Sequence, residues 1–177
     1  MDLTEKTLNS VNVYNGKILK LNVDKIMLED GSESFREYVV HSGGVGVLVV
    51  YNNQVLLVKQ FRYAYKEAIY EIPAGKLNYG EDPELAGKRE LEEECGLVAK
   101  KMKKLGCLYP TPGYTNEKLY VYECTEFLIG KQKLDKGEFL LYDWIDLDKA
   151  YQMIKDGEIK DAKTVYALLA YKSGFYE

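Results

Sequence analysis

The chain has 177 residues, of which 46% are hydrophobic and 29% are charged, and its formal net charge at pH 7 is −4. This length and composition predict one globular domain, or one domain with a small appendage, that can bury a core of its own. The acidic balance argues against a broad nucleic-acid-binding or membrane-binding surface, but a bound metal ion could still allow a pocket to attract an anionic small molecule.

The cysteine pattern and the chain's apolar runs indicate a cellular location. Cys95, Cys107 and Cys124 are odd in number and form no C-x-x-C motif, which predicts buried, reduced thiols. The N-terminal segment lacks the basic and apolar pattern of a secretory leader, and no apolar run approaches the ~20 residues of a membrane span. We therefore expect a cytoplasmic protein. The single histidine, His41, has no nucleophile motif near it and is interpreted as structural.

The first forty residues predict a small antiparallel sheet. Asn15-Gly16 is a strong signal for a two-residue hairpin turn. Apolar and polar residues alternate over 19–23, as in a half-buried strand, and Glu29-Asp30-Gly31 predicts the next turn. A further strand is expected over 35–41. We expect residues 1–42 to form an N-terminal β-sheet subdomain.

Residues 43–177 predict a second, larger domain with an α+β layered arrangement. Strands over 43–51 and 54–60, joined by a turn at Asn52-Asn53, should form the centre of its sheet. The last helix should turn Val165, Leu168 and Leu169 inward. The remaining predicted elements are strands over 103–108, 119–125 and 140–145 and helices over 83–95, 148–156 and 162–173.

The predicted helix over 83–95 has clear local signals at both ends. Asp82 can cap the N-terminus, and Pro83 suits the first helical position because its missing N–H costs nothing there. Gly96 can adopt the left-handed conformation that ends helices.

Three glutamates on this helix indicate a metal site. Glu90, Glu93 and Glu94 are spaced i, i+3 and i+4, which puts them on one helical face. Like charges at this spacing destabilise a bare helix, and a hard cation with oxygen ligands would relieve the repulsion. The alternative is an ordinary solvated acidic face.

The segment from Gly75 to Leu97 has the spacing G-x5-E-x7-R-E-L-x-E-E-x-G-L, which resembles the Nudix box at every specified position. The resemblance implies hydrolysis of a pyrophosphate and a Nudix fold, an α/β/α sandwich with a mixed sheet. It also implies a Mg²⁺ cofactor, with Mn²⁺ as the other candidate. The roles that it implies are metal ligation by Glu90, Glu94 and the Ala74 carbonyl, with Glu93 beside them, support from Glu81, and orientation of the acidic side chains by Arg89.

Segments outside this box resemble the ADP-ribose pyrophosphatase branch of the family. They are R-E-Y-V-V-H at 36–41, K-Q-F-R-Y at 59–63, E-I-P-A-G at 71–75, Y-P-T-P-G-Y-T-N-E at 109–117 and G-E-I-K-D-A-K-T at 157–164, although Ser42 replaces the proline usual after the first. Candidate substrate-binding residues are Arg36, Arg62, Glu71 and Pro112. For Arg62 a surface ion pair is the alternative; Arg36 could simply lie on an exposed strand, and Pro112 could simply stiffen a turn.

In this branch the general base commonly comes from an acidic loop after the box. The corresponding segment here is 134–139, in which Glu138 is the best match and Asp135 the alternative. An ordinary solvated turn is the third interpretation.

Together these features predict a metal-dependent hydrolase that converts ADP-ribose, or a related nucleoside diphosphate sugar, to AMP and a sugar phosphate. One rival is hydrolysis of GDP-mannose-like sugars or dinucleotides with the same box. Another is a nucleotide sensor without turnover, against which the complete acidic set argues. The resemblance also implies a homodimer joined through the N-terminal sheet; no nucleic acid or membrane partner is expected.

Overall fold

A computed structural model describes residues 3–174, and this part of the chain forms two compact units. The first contains the described residues up to Gly43 together with Tyr109–Lys118. The second contains Gly44–Leu108 and the chain from Leu119 onward. The segment 109–118, which separates two strands of the second unit along the chain, thus belongs to the first unit.

The first unit contains a three-stranded antiparallel sheet in the order β1-β2-β3. Asn15 pairs with Lys20, and the Gly16 N–H donates to the Leu19 carbonyl at 2.9 Å, so the first hairpin has a longer loop than the two-residue turn that we predicted. Gly16 does not adopt the positive φ that such a turn requires. The strands are β1 (Lys6–Asn15), β2 (Lys20–Met27) and β3 (Glu33–Val40).

The loop 109–118 is fixed to the last strand of this sheet. The Val39 N–H donates to the Tyr114 carbonyl at 2.8 Å, and the Val39 carbonyl accepts from the Asn116 N–H at 3.2 Å. The Asn116 side chain also accepts from the His41 N–H at 2.9 Å. His41 thus contributes its backbone N–H to the contact between strand and loop, and its structural role stays a prediction.

The second unit contains a mixed sheet of seven strands. Its path runs β10-β5-β4-β9-β8, in which only the β4–β9 pair is parallel, while β6 pairs with β5 and β7 with β4. The β4–β5 hairpin turns at Asn52 and Asn53, with φ of 49° and 61°, as a two-residue type I′ turn requires. The strands are β4 (Gly44–Tyr51), β5 (Gln54–Arg62), β6 (Glu67–Glu71), β7 (Ala74–Lys76), β8 (Leu97–Leu108), β9 (Leu119–Ile129) and β10 (Leu140–Asp146).

Helices cover both faces of this sheet, and the predicted α/β/α sandwich is confirmed. On one face Leu91 of α1 (Pro83–Cys95) packs with Val47 and Leu56; on the other, α2 (Leu147–Lys155) and α3 (Ala162–Ser173) pack against the strands. Successive side chains of a strand point to opposite faces of the sheet, so one strand contributes residues to the core on each face. The second core includes Leu48, Leu57, Met153 and Leu168.

One expectation about the last helix is wrong. Leu168 is fully buried and Val165 is partly buried, but Leu169 is 49% exposed. The inward face instead follows Thr164, Ala167 and Leu168, a spacing of three and four residues.

The three cysteines are all free, as expected, and Cys95 and Cys124 are buried. Cys107 is exposed, so the prediction that it is buried is wrong. Its exposure follows from its position on the edge strand β8, where one face of the strand meets solvent. Among residues 3–174, no helix has both the length and the apolar character to cross a membrane.

Candidate active site

Helix α1 presents its acidic face at a defined position because both ends of the helix are fixed. The Asp82 side chain accepts from the N–H groups of Glu84 and Leu85, at 2.9 and 3.1 Å. At the other end Gly96 has a φ of 66° and donates its N–H to the Glu92 carbonyl. The observed bounds, Pro83–Cys95, are those that the sequence predicts.

Arg89 gathers three carboxylates around one guanidinium group. Its Nε and Nη2 atoms donate to the two oxygens of Glu81, at 3.0 and 3.1 Å. Its Nη1 atom donates to Glu90 at 2.8 Å and to Glu93 at 3.0 Å. A planar fork of fixed donors suits such a task, and a lysine could not reproduce it. The bonds from Arg89 lower the pKa of Glu81, and they raise the pKa of Arg89 itself.

Glu94 lies deeper than the other acids of this helix, with 3% of its surface exposed. One of its side-chain oxygens accepts from the backbone N–H of Ala74 at 2.9 Å. Burial, followed by the nearby charges of Glu90 and Glu138, raises the pKa of Glu94 to about 8. Burial also raises the pKa of Glu90. Without a cation, Glu94 is therefore mostly protonated at neutral pH.

Gly75 provides the space that the Glu90 side chain occupies. A β-carbon at this position would overlap the carboxyl atoms of Glu90. The Glu90 carboxylate can therefore occupy this place beside β7 only with glycine at position 75. The glycine of the sequence motif thus has a steric role in the site.

A second ionic cluster lies at the end of β6 and the start of α3. Arg62 donates to both oxygens of Glu71, its Nη2 at 2.8 Å, and Lys163 donates to Glu71 from another side. Lys163 also pairs with Asp161 at 3.1 Å. Burial alone would raise the pKa of Glu71, but the bond from Arg62 and the charge of Lys163 outweigh burial and lower that pKa.

Three residues of this cluster were not among the predicted site residues: Asp161, Lys163 and Thr164. Lys163 alone carries an unusual local feature, because it stands in the first turn of a helix, where the helix dipole disfavours a cation. It is also 7% exposed, and lysine is almost never so buried unless it is paired.

The backbone between the two clusters is held at successive residues. The Ile72 N–H donates to the Thr164 hydroxyl at 2.8 Å, and the Pro73 carbonyl accepts from the Val47 N–H at 2.8 Å. The Ala74 N–H then donates to Glu94. This segment contains Ala74, the residue whose carbonyl was predicted as a metal ligand.

The loop that carries Glu138 begins from a root bound to α1. Gln132 donates its side-chain N–H to the Glu94 carbonyl at 2.7 Å, and the Lys133 N–H donates to the Glu93 carbonyl at 2.9 Å. Glu138 itself is exposed, and one of its oxygens accepts from the Asp135 N–H at 3.3 Å. Its charge is close enough to raise the pKa of both Glu90 and Glu94.

Two predicted substrate residues belong to the first unit. Arg36 lies on β3 and forms a two-pronged ion pair with Glu5, including a bond from Nε at 3.0 Å. Pro112 lies in the loop 109–118 and is exposed. Their roles, like those of the other candidate site residues, remain predictions.

The chemistry of the donors fits a hard divalent cation. Carboxylate and carbonyl oxygens are the ligands that Mg²⁺ and Mn²⁺ prefer, and Glu94 is a buried carboxyl group with no cationic side chain bonded to it in the described chain. Within residues 3–174, no three or more histidine, cysteine, aspartate or glutamate side chains are grouped so as to hold an ion. The oxygens of Glu90 and Glu93 instead face Arg89.

Comparison with protein families gives a match to the NUDIX domain over residues 40–168. An ADP-ribose pyrophosphatase of Bacillus subtilis (strain 168) is 40% identical over 169 residues, covering 94% of this chain and 91% of that protein. A methanol dehydrogenase activator of Bacillus methanolicus is 39% identical over 168 residues, covering 93% and 90%. An ADP-ribose pyrophosphatase of Mycobacterium tuberculosis is 31% identical over 169 residues, covering 93% and 82%.

Among solved structures, the crystal structure of an ADP compounds hydrolase is similar to this chain with a TM-score of 0.87. The match covers 99% of this chain and 96% of that one, at 18% sequence identity. At this identity the likeness concerns the fold.

Proposed function

Because the chain belongs to the Nudix family of hydrolases, we propose that it hydrolyses the pyrophosphate of ADP-ribose to AMP and ribose 5-phosphate. Two relatives that match over more than nine-tenths of the chain are named for this activity. The observation that carries the proposal is the binding of Glu81, Glu90 and Glu93 by Arg89 beside the buried Glu94. This arrangement concentrates acidic groups where a pyrophosphatase needs a divalent cation.

The proposed metal ligands are Glu90, Glu94 and the Ala74 carbonyl, with Glu93 beside them. When bound, Mg²⁺, or Mn²⁺ as the second candidate, supplies charge neutralisation for the diphosphate and Lewis-acid activation. Arg89 orients the carboxylates before the cation arrives, which lowers the cost of ordering them. The hydrogen bond from the Ala74 N–H to Glu94 fixes one ligand relative to the backbone that carries another.

The remaining candidate residues bind the substrate and move a proton. Arg62, with 40% of its side chain exposed, binds a phosphate oxygen while Glu71 orients its guanidinium group. Arg36 and Pro112 contact other parts of the nucleotide sugar. Glu138 accepts a proton from the attacking water. The water oxygen bonds to one phosphorus, the bridging P–O bond breaks, and the second phosphate leaves with that bridging oxygen.

We also propose that the protein is a cytoplasmic homodimer joined through its N-terminal sheet. All ten residues of β1 are exposed in the single chain, including Val11 at 51% and Val13 at 58%. A three-stranded sheet with an exposed apolar edge gains stability by packing against a second copy. The substrate is a small molecule, and neither nucleic acid nor a membrane is needed.

The direct test is hydrolysis of ADP-ribose, GDP-mannose and diadenosine polyphosphates with Mg²⁺, with the products separated by chromatography. Fast release of AMP from ADP-ribose that Glu94→Gln abolishes would support both the substrate and the site. Preference for GDP-mannose or a dinucleotide would support pyrophosphate hydrolysis but reject ADP-ribose as the preferred substrate. Absence of turnover on all of them, with ADP-ribose binding retained, would favour the nucleotide sensor.

Activation of a dehydrogenase is a second candidate function, because a relative nearly as similar as the first is named a methanol dehydrogenase activator. The test is the rate of a purified methanol dehydrogenase with and without this protein. Activation would support this function. The Glu94→Gln variant would then show whether activation requires the hydrolytic site.

A further inference from the structure

We propose that Lys163 is a positioning residue for substrate binding, because it holds the Glu71 carboxylate from one side and thereby orients Arg62 on the other. Lys163 itself contacts no substrate in this proposal. The inference rests on the proposed function, which assigns Arg62 to a phosphate of the substrate. It adds helix α3 to the elements that build the site.

The placement of Lys163 opposes its own local preferences. It stands in the first turn of α3, where the partial positive charge of the helix terminus repels a cation. Its side chain is 8% exposed, so its charge has also lost most of its hydration. A residue that is unfavourable for its helix position and its burial is typical of a functional site, where other contacts offset the cost.

The compensation comes from two carboxylates. Lys163 pairs with Glu71, whose side chain is 2% exposed, and with Asp161 at 3.1 Å. Asp161 in turn accepts from the hydroxyl and N–H of Thr164, at 2.6 and 3.0 Å. These bonds determine where the Lys163 ammonium group lies, and therefore where Glu71 lies.

The charge balance of this cluster explains what Lys163 does for Arg62. Two cations, Arg62 and Lys163, face two carboxylates, Glu71 and Asp161, so the formal charges cancel. Arg62 uses Nε and Nη2 to bind Glu71, and its Nη1 donates to no residue of the described chain. Without Lys163 the cluster of Arg62, Glu71 and Asp161 would carry a formal net charge of −1, which would draw Arg62 inward and repel an anionic substrate.

The kinetic test compares Lys163→Met with the matched control Lys160→Met. Lys160 lies three residues earlier and forms an exposed pair with Glu67 at 3.2 Å, so its substitution should leave KM unchanged. For Lys163→Met we expect the KM for ADP-ribose to rise about tenfold, the scale of coupling between bonded neighbours, with little change in kcat. In an Arg62→Ala background the same substitution should add little.

Either of two results would overturn the proposal. A lower kcat at unchanged KM would indicate a smaller folded fraction, and an undiminished effect in the Arg62→Ala background would show that Lys163 does not act through Arg62. If Lys163→Met fails to fold, Lys163→Met combined with Glu71→Gln removes opposite charges together and leaves the buried balance intact. That double variant should keep the raised KM; a wild-type KM would also overturn the proposal.

A measurement without turnover separates this inference from the proposed function. The Nε–H resonance of Arg62 can be assigned in the ¹⁵N-labelled protein from its loss in Arg62→Lys. We expect it to shift in Lys163→Met and to stay in place in Lys160→Met. An unshifted resonance would overturn the positioning role of Lys163 even if ADP-ribose is the substrate. A shift in a protein that does not cleave ADP-ribose would support the positioning role and reject that substrate.

Discussion

The α-carbon of Gly75 lies against the carboxylate of Glu90, so closely that a β-carbon at position 75 would overlap the carboxyl atoms. One residue of the sequence motif thus exists to make room for another. The acidic side chain can lie between strand and helix because the strand has no side chain there.

Substitution Gly75→Ala should therefore lower activity more than stability. The Glu90 side chain is flexible and can move away from the new methyl group, at the cost of its place beside Arg89. We expect kcat/KM to fall by about a hundredfold, as it does when a reacting group is misplaced by about 1 Å. Hydrolysis rates and thermal unfolding of the same preparation check this; a large loss of stability with normal turnover would contradict it.

Arg89→Lys should weaken metal binding. A lysine cannot donate to Glu81, Glu90 and Glu93 at once, so the carboxylates would lose their shared orientation. Loss of such a supporting group typically costs about 10–100-fold in metal affinity. Calorimetric titration with Mn²⁺ measures the change. Lys88→Met is the matched control, because Lys88 pairs with Glu84 at the helix surface. The metal affinity of this variant should match that of the unaltered protein.

Glu138→Gln should lower kcat by about a hundredfold or more, the contribution typical of a general base. The fold should be unaffected, since Glu138 is exposed and the root of its loop is bound through Gln132 and Lys133. Asp135→Asn serves as the comparison within the same loop. A larger loss in Asp135→Asn than in Glu138→Gln would transfer the role of the base to Asp135.

The raised pKa of Glu94 predicts a pH dependence of metal binding. Burial holds this pKa at about 8, so below that pH the group must release its proton before it can bind a cation. Apparent metal affinity should rise about tenfold per pH unit up to about pH 8 and then level off. Glu94→Gln should abolish this slope in calorimetric titrations at several pH values. An affinity independent of pH in the unaltered protein would contradict the prediction.

The raised pKa of Glu94 also predicts how the stability of the metal-free protein changes with pH. Between the ordinary value of 4.5 and about 8, Glu94 holds its proton in the folded protein and loses it in the unfolded chain. The folded state then binds more protons, so the contribution of Glu94 to stability is complete below pH 4.5 and is lost as pH rises to 8. Urea unfolding in the presence of a chelator should show this decline, and Glu94→Gln should flatten it.

The sequence could predict the features that depend on interactions between residues close together along the chain, and not those that depend on distant residues. Helix α1 was predicted with its observed bounds because Asp82, Pro83 and Gly96 act on their own neighbours. Lys163 lies in the segment 157–164 that resembles the branch, but its pairing with Glu71 was not predicted, because Glu71 is 92 residues away along the chain. Leu169 was placed inward by its apolar character, but contact with the sheet selected Ala167 and Leu168.

The bonds of Gln132 and Lys133 to the end of α1 also limit motion near the site. They satisfy the carbonyls of Glu94 and Glu93 and bind the root of the loop to the helix. Leu134 packs against the core and Leu140 is buried, so the segment between these two fixed points is 135–139. So short a segment loses little conformational entropy when it closes. Opening and closing of this loop should therefore be fast and local. In hydrogen exchange, its backbone amides should be weakly protected, and those of the segments on either side should be well protected.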